Sequence, residues 1–482
     1  MEGFSHVLHI LTVGLLLLLV LVFCVLAGGL GPDRLEGFEP VTVYGARLTA
    51  LLYFLRFLTV IPIPQAIFNF LGLVLYNTHP PKPKLKTSTL FGPFICIRVV
   101  TRGTFPDLIK KNVERNIEVC SRIGLDNYIL EVVTDNAMSL PKSPRVREVV
   151  VPAKYKTKNH TLYKARALNY CLEPGVNMLT DNDWIVHLDE ETLLTESSVI
   201  GIINFINDGS YKFGQGVITY ANEEIVSWLT TLADLVRVGM DFGMIRFCLK
   251  YLHVPVFSWK GSFIVSNAAA EKQITYDFGA EGSIAEDCFF ALTAWKQGFT
   301  FGFVEGEMWE KSTFSARDYI YQRKRWVQGI YNVFFSSLIP YRYKYGISLM
   351  LLSWVFMPLT VPNIVLVPVF PLPMWHSFNI LCAFMGATML FLFIFGAIKS
   401  FSPRRIGWPK YVFLCVVPIV IVPVSMVLET MGVVWALCAK QKTSFHIVDK
   451  QTMYSAAARA NHRDDSRHSS ACVMATGHQV LS

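Results

Sequence analysis

Four groups of side chains in this 482-residue chain have the types and spacing to do chemistry. Asp135 ends the apolar stretch NYILEVVTD, and the triplet Asp189-Glu190-Glu191 ends a second, DWIVHLDEE. Glu286-Asp287 opens the apolar-periodic run EDCFFALTAWK, and Gln322, Arg325 and Trp326 lie within YIYQRKRWVQGIY. Alternate residues of an extended strand share a face, which predicts that Asp189 and Glu191 point together. Two carboxylates converging at a strand end make a sparse hard-cation site, the kind that shares Mg²⁺ or Mn²⁺ with a diphosphate. The plainer alternative is a solvated acidic turn capping the next helix through Thr192. His187 shares the parity of Asp189 and is either a further ligand or a packed, hydrogen-bonded histidine. Asp287, on a rigid helix start, has the chemistry of a general base for an attacking hydroxyl; the bland reading is charge complementing a helix dipole. On a helix, Gln322, Arg325 and Trp326 fall at i, i+3 and i+4 and share one face. That face offers an amide, a planar fork suited to diphosphate oxygens and an indole that stacks on a sugar's CH face. Arg323 and Lys324 point elsewhere and suit a lipid headgroup layer.

A regular frame is needed to bring these groups together. FICIRVV (94–100), the run to Asp135, REVVVPAKY (147–155) and DWIVHLDEE (183–191) read as strands, with helical patterns at LIKKNVERNIEVC and KARALNYCL between them. Strands alternating with helices imply a mostly parallel sheet that binds ligands beyond the strands' carboxyl ends. Asp135 and the 189–191 triplet both fall at such ends.

The rest of the chain is too apolar for an ordinary soluble protein: 52% of residues are hydrophobic and 17% charged, with positive mean hydropathy. The net charge of +8 fits an anionic membrane surface or a phosphate-bearing ligand. Nucleic acid is not indicated, because the cations are dispersed and no binding motif is present. Ten cysteines are scattered without CxxC or Cys/His pairs, which reads as packed thiols in a reducing compartment. Residues 6–30 form an aliphatic run long enough to cross a bilayer; its length and lack of an early Lys or Arg argue against a cleaved leader. A second run, 48–76, is broken by IPIP and contains Arg56; further runs occupy about 347–370, 377–398 and 411–438. Residues 1–78 are thus two membrane segments, 79–340 a cytosolic α/β domain with an interfacial helix, 341–440 about three more segments, and 441–482 a polar, disordered tail. Lys82, Lys84, Lys86, Arg342 and the basic loop 399–410 put the domain in the cytosol by positive-inside counting. Three downstream crossings would put the tail across the membrane, whereas Lys440, Lys442 and Lys450 favour the cytosol; the tail's side stays open. The sequon at Asn159 is then unused.

Taken in order, Asp135, KARALN, the DEE variant of a DxD motif, AED (285–287) and QRKRW as QxxRW resemble the inverting family 2 glycosyltransferases, GT-A in fold with flanking membrane helices. Segments such as FICIRVVTRG, FGQGVITYANE, FSWKGS and AEDCFFA extend the resemblance to the egghead-type β-1,4-mannosyltransferases of invertebrates, from the second span to the last. The resemblance implies transfer of mannose from GDP-mannose to the lipid acceptor glucosylceramide, in glycosphingolipid synthesis at the ER or Golgi. It assigns Asp287 as catalytic base, Asp135 to the nucleoside, and Asp189 with Glu191 to a metal-bound diphosphate. Lys164 of KARALN joins Gln322, Arg325 and Trp326 around the donor phosphates and acceptor. Glu191 stands where many relatives carry Asp, leaving Mn²⁺ or Mg²⁺ open. Competing readings are a processive polysaccharide synthase using a UDP-sugar, a transporter or receptor with Arg56 and Glu429 as pathway residues, and an inactive scaffold.

Overall fold

β-branched and aliphatic runs form the strands, and proline and glycine set where the elements stop. The computed structural model describes residues 2–27, 35, 37–89, 92–140, 143–221 and 225–439. The chain opens with α1 (Glu2–Leu26), α2 (Pro40–Tyr44), α3 (Ala46–Leu58) and α4 (Ile63–Leu75). The IPIP stretch falls at the break between α3 and α4, where a proline lacks the N–H that a continuous helix requires.

The central region follows as β1 (Ile95–Thr101), α5 (Pro106–Ile123), β2 (Tyr128–Thr134), β3 (Val146–Val150), α6 (Tyr163–Tyr170), β4 (Trp184–Leu188), α7 (Glu196–Asp208) and β5 (Phe213–Tyr220). Next come α8 (Trp228–Ala233), α9 (Leu235–Met240), two π-helical turns at Asp241–Ile245 and Cys248–Leu252, β6 (Ile264–Asn267), α10 (Ala268–Ile274), α11 (Glu286–Lys296), β7 (Phe301–Glu310) and α12 (Ala316–Phe335). Local signals account for several ends: Pro106 begins α5, and Gly124 closes it at φ +70°. The seven strands lie in the order β3-β2-β1-β4-β6-β5-β7. β1 to β4 are mutually parallel, β5 pairs parallel with β7, and β6 runs antiparallel to both its neighbours. Strands buried on both faces explain the continuous apolar runs, and β1, β2 and β4 deliver their carboxyl ends to one rim.

The remaining helices are α13 (Tyr345–Thr360), α14 (Asn363–Val369), α15 (His376–Ser400), α16 (Pro403–Ile406), α17 (Trp408–Val416) and α18 (Pro418–Cys438). Four stretches are long and apolar enough to cross a membrane: Gly3–Leu26, Ala46–Leu75, His376–Ser400 and Pro418–Cys438; α13 and α14 together make a fifth, bent by 48°. Glycines let these helices touch the central region backbone to backbone. A Cβ on Gly72 of α4 would stand 2.0 Å from the Gly243 carbonyl oxygen, and one on Gly396 of α15 2.0 Å from that of Leu235. Overfilling such a contact costs about 1–3 kcal/mol. Gly72→Ala and Gly396→Ala should each lower the unfolding midpoint in detergent; unchanged midpoints would refute this docking.

Candidate active site

The acidic triplet lies just beyond β4, in a turn closed by the Thr192 N–H donating to the Asp189 carbonyl at 3.0 Å. Strand geometry stops at Leu188, so the alternation expected for residues 189 and 191 does not govern them; the turn does. It sends Glu190 back toward β1, where its carboxylate accepts from the Thr101 hydroxyl at 2.6 Å. Asp189 and Glu191 face Glu310, at the end of β7, and their charges help to raise its pKa. Thr192 does not cap a helix. It is buried, 2.8 Å from the Ser262 hydroxyl and 3.3 Å from Glu310 Oε2, and α7 is capped instead by Thr195.

Lys164, on α6, draws two distant segments onto this turn. Its Nζ donates to Asp189 Oδ1 at 2.6 Å and to the Gly261 carbonyl at 2.9 Å, and lies 3.8 Å from Glu286 Oε1. Burial opposes its charge, but Asp189, Glu286 and Asp287 outweigh burial and hold its pKa above the usual lysine value. Gly261 makes this convergence possible: a Cβ there would be 3.0 Å from Lys164 Nζ and 3.2 Å from Asp287 Oδ2.

Glu286 and Asp287 open α11 at the pocket wall. Burial, then the adjacent Asp287 charge, push Glu286 up to about 7. Burial also raises Asp287, opposed first by the Cys288 N–H on its Oδ1 at 2.7 Å, then by Lys164 and, further off, Arg325. A cavity of about 10 Å³, room for roughly one water, is lined here by Lys164, His187, Gly261, Tyr276, Glu286 and Asp287.

The helix carrying QRKRW is α12. Arg325 is in electrostatic reach of Asp287, and the Trp326 ring lies 5.0 Å from the guanidinium of Arg237. Gln322 accepts from Arg323 at 2.7 Å. Arg323 does not face a headgroup layer, as its place on the helix wheel suggested. It is buried, donating to Asp234 at 2.7 Å and to Glu429 of α18 at 2.6 Å, and Tyr319 donates to Glu429 as well. The reading of Glu429 as a pathway residue gives way to this pairing. Lys324 lies 4.7 Å from the ring of Trp435.

Asp135 follows β2, two strands from β4 and so about 9–10 Å from it. Arg166, two residues after Lys164 on the same helix, donates to it at 2.5 Å. His187 is not a ligand at the rim: its Nε2 lies 2.7 Å from buried Glu271, which Arg98 also binds. Three charged groups escaped the sequence reading. Burial pushes Glu310 up to about 8, with Arg237 opposing and Asp189 and Glu191 reinforcing. Lys260 pairs with Asp241, and Arg237 sits between Tyr220 and Trp326. Only the KGS segment, already in a matching stretch, carried a sequence signal.

The donor set fits a hard divalent cation. Asp189, with its side chain 41% exposed, and Glu191 are carboxylate oxygen donors, the kind such an ion takes. Among the described residues no group of three His, Cys, Asp or Glu side chains is placed to hold a metal ion.

A mixed, mostly parallel sheet with a carboxylate rim, a buried acid pair and an Arg-Trp helix is the architecture of a glycosyltransferase. The family described as glycosyl transferase family group 2 matches residues 184–397. The chain is 50% identical to β-1,4-mannosyltransferase egh of Drosophila melanogaster, over 92% of this chain and 97% of that protein. It is 46% identical to β-1,4-mannosyltransferase bre-3 of Caenorhabditis elegans, over 92% and 98%. A solved mannosyltransferase of Pyrobaculum calidifontis, in complex with GDP-Man and Mn²⁺, overlaps 80% of this chain and all of its own at 12% identity and a TM-score of 0.43. The chain belongs to the family 2 glycosyltransferases and, within them, to the group of these β-1,4-mannosyltransferases. Mannosyl transfer is the activity its relatives support.

Gly261→Ala tests the convergence. The added methyl must push Lys164 or Asp287 aside, so turnover should fall at least tenfold with the unfolding midpoint held within a few degrees. Full activity in that variant would show that the close approach is dispensable.

Proposed function

We propose that this pocket moves mannose from GDP-mannose onto the 4-hydroxyl of the glucose in glucosylceramide, inverting an α-linked donor to a β-linked product. The observation that carries the reading is Lys164, whose one ammonium contacts Asp189 and stands beside Glu286, joining the leaving-group side of the pocket to the α11 start. Asp189 and Glu191 would hold a Mn²⁺ or Mg²⁺ ion, and a cation bound there would neutralise charge on the departing diphosphate. Asp135, at the next strand end but one, has the placement to meet the nucleoside. The acceptor oxygen attacks the anomeric carbon as the carbon–phosphate-oxygen bond breaks and GDP leaves; Asp287 takes the hydroxyl proton. Arg325 and Lys164 add fixed positive charge close to the reacting groups, where a dry, preorganised site makes it most effective. Trp326, whose ring carries the Arg323 guanidinium at 4.2 Å and that of Arg237 at 5.0 Å, would line the acceptor end of the pocket.

Burial suits Asp287 to its task. A carboxylate lifted above its ordinary value is a stronger base at neutral pH, and general-base catalysis contributes on the order of 10²–10⁴-fold. A glycolipid acceptor accounts for the candidate spans around the domain, since its headgroup must be met at a membrane surface. We place the domain on the cytosolic face of the ER or Golgi, following the cations that flank it. That reading also leaves the sequon Asn159 unmodified, its side chain donating to the Asp277 carbonyl at 2.8 Å.

Membranes carrying the protein, offered glucosylceramide with a panel of GDP- and UDP-sugars, should make one new glycolipid, from GDP-mannose. A product from a UDP-sugar, or a polymer, would replace this reading with that of a polysaccharide synthase. Asp287→Asn should cost at least about 10²-fold in turnover and leave GDP binding intact; lost GDP binding would count against the base role. Because Asp287 must be ionised to act and its pKa is raised, kcat/KM should fall on acidification before the ordinary aspartate range of about 4 is reached. Glu286→Gln should keep most activity and move that acidic limb to lower pH. An unmoved limb would show that the pair does not titrate together.

A further inference from the structure

α18 has the length and composition of a crossing helix, but not the surroundings of one. The depths of the other apolar helices are fixed by their contacts. On the domain's side lie the first half of α1, where Asn77 donates to the Ser5 hydroxyl at 2.9 Å and the Thr12 hydroxyl is 2.9 Å from His79, the start of α13, where Gly346 meets Val256, and the end of α15, where Lys399 pairs with Glu307 at 2.9 Å. On the far side Tyr44 and Tyr53 donate to the carbonyls of Pro371 and Pro373, and Phe57 packs on Trp375.

The described contacts of α17 and α18 all fall at the first level. Lys410, in α17, lies over Trp228 at 5.0 Å, and Leu414 clusters with Leu235 and Phe401. In the middle of α18, Glu429 meets Arg323, and a Cβ on Gly432 would stand 2.7 Å from that arginine's Cβ. Near its end Gln328 donates to the Ala436 carbonyl at 3.4 Å, and Val433 clusters with Ile347 and Leu351 in the opening turns of α13. A helix of 21 residues is about 31 Å long. Upright, it would carry one end to the depth of Trp375. Instead it runs along α12, with both ends near the domain.

Charge in the sequence agrees independently. Arg404, Arg405 and Lys410 precede or begin the segment, and Lys440 and Lys442 follow it. A crossing helix under the positive-inside rule has its cations on one side. Mid-helix Glu429 would be costly at a bilayer centre, whereas here it rests on a buried arginine of the domain.

We infer that α17 and α18 lie in the plane of the membrane, on the domain's side, without crossing it. Their inner face is covered by α8, α12, α13 and the domain-side end of α15, where Phe393 and Ala397 cluster with Leu414, so no polar face is needed. The exposed stripe of Ile419, Val420, Val424, Val427, Met431 and Val434 meets the acyl chains of the domain-side leaflet. The crossings are then α1, α3 with α4, α13 with α14, and α15: an even number, leaving the start of α1 and the end of α18 on the domain's side. This holds whatever sugar or acceptor the enzyme uses.

Protease protection of the full-length protein in sealed membrane vesicles tests the inference. One epitope is appended after Ser482 and another inserted between Pro373 and Met374, with tryptic fragments of the domain reporting its side. Where the domain is cut, the C-terminal epitope should be lost with it and the 373–374 epitope should survive. A C-terminal epitope that survives while the domain is cut, or is cut while the domain survives, would establish a crossing α18 and overturn the inference.

Discussion

Carboxylates crowded into a water-poor pocket repel one another, and the arrangement of this site follows from how the fold offsets that repulsion. Asp189, Glu191, Glu286, Asp287 and Glu310 come from three separate segments, and burial alone would drive several of them to bind protons. Lys164 answers on one side, touching Asp189 and standing beside Glu286; Arg237 and Lys260 lower Glu310 on the other. The compensation is incomplete, because Glu286 and Glu310 are still pushed up to about 7 and about 8. A site left with excess negative charge is prepared for a ligand that arrives with a cation. Its shape follows from the same need: Gly261 gives up a side chain so that the ammonium and two acids can share a small volume.

Much of this frame was legible in the sequence. The strand runs at 94–100, 127–135, 147–155 and 183–191, the last ending in the structure at Leu188, and the amphipathic pattern of LIKKNVERNIEVC, are short-range signals that tertiary packing reinforced. The antiparallel β6, between β4 and β5, was not legible, since IVSN carries no periodicity that sets its direction. The cation partners were missed for a related reason. Arg237 is carried by α9, and Lys260 is held by Asp241 of the first π-helical turn; the two elements pack on the apolar helices α15 and α4 respectively, a relation between segments far apart in the chain. Past Leu188 a turn and no longer the strand sets the directions, sending Glu190 back to Thr101 while Asp189 and Glu191 both face Glu310. A hydrogen bond across one peptide turn decided where those side chains went.

Arg323 shows how far tertiary context can depart from local pattern. By spacing it falls off the face of Gln322, Arg325 and Trp326, and near a membrane segment an off-face arginine reads as a headgroup anchor. In the structure it is held between Asp234, at the α8–α9 junction, and Glu429, in α18, with the Tyr319 ring 3.9 Å from its guanidinium. A buried cation with two carboxylate partners is a weak source of net stability, because desolvation offsets most of the attraction. Its consequence is geometric. Removing any one partner would leave an unpaired charge in the protein interior, so the register of α12 against α18 and α8 is narrowly fixed.

That register links the membrane to the chemistry. Arg325 and Trp326 lie within three residues of Arg323 on the same rigid helix, so the grip that fixes Arg323 also fixes how far the indole and the second guanidinium extend toward Asp287. Arg237, the third residue of α9, lies 5.0 Å from the Trp326 ring, and α9 is itself seated on α15 through the Gly396–Leu235 contact. The face proposed for the acceptor is therefore built on apolar helices, whereas the face proposed for the donor is built on the sheet. The reaction proposed above joins a water-soluble donor to a membrane-held acceptor, and an enzyme for it must hold two surfaces in fixed relation across the water–lipid boundary. Here the buried ion pairs beneath α12 supply that relation.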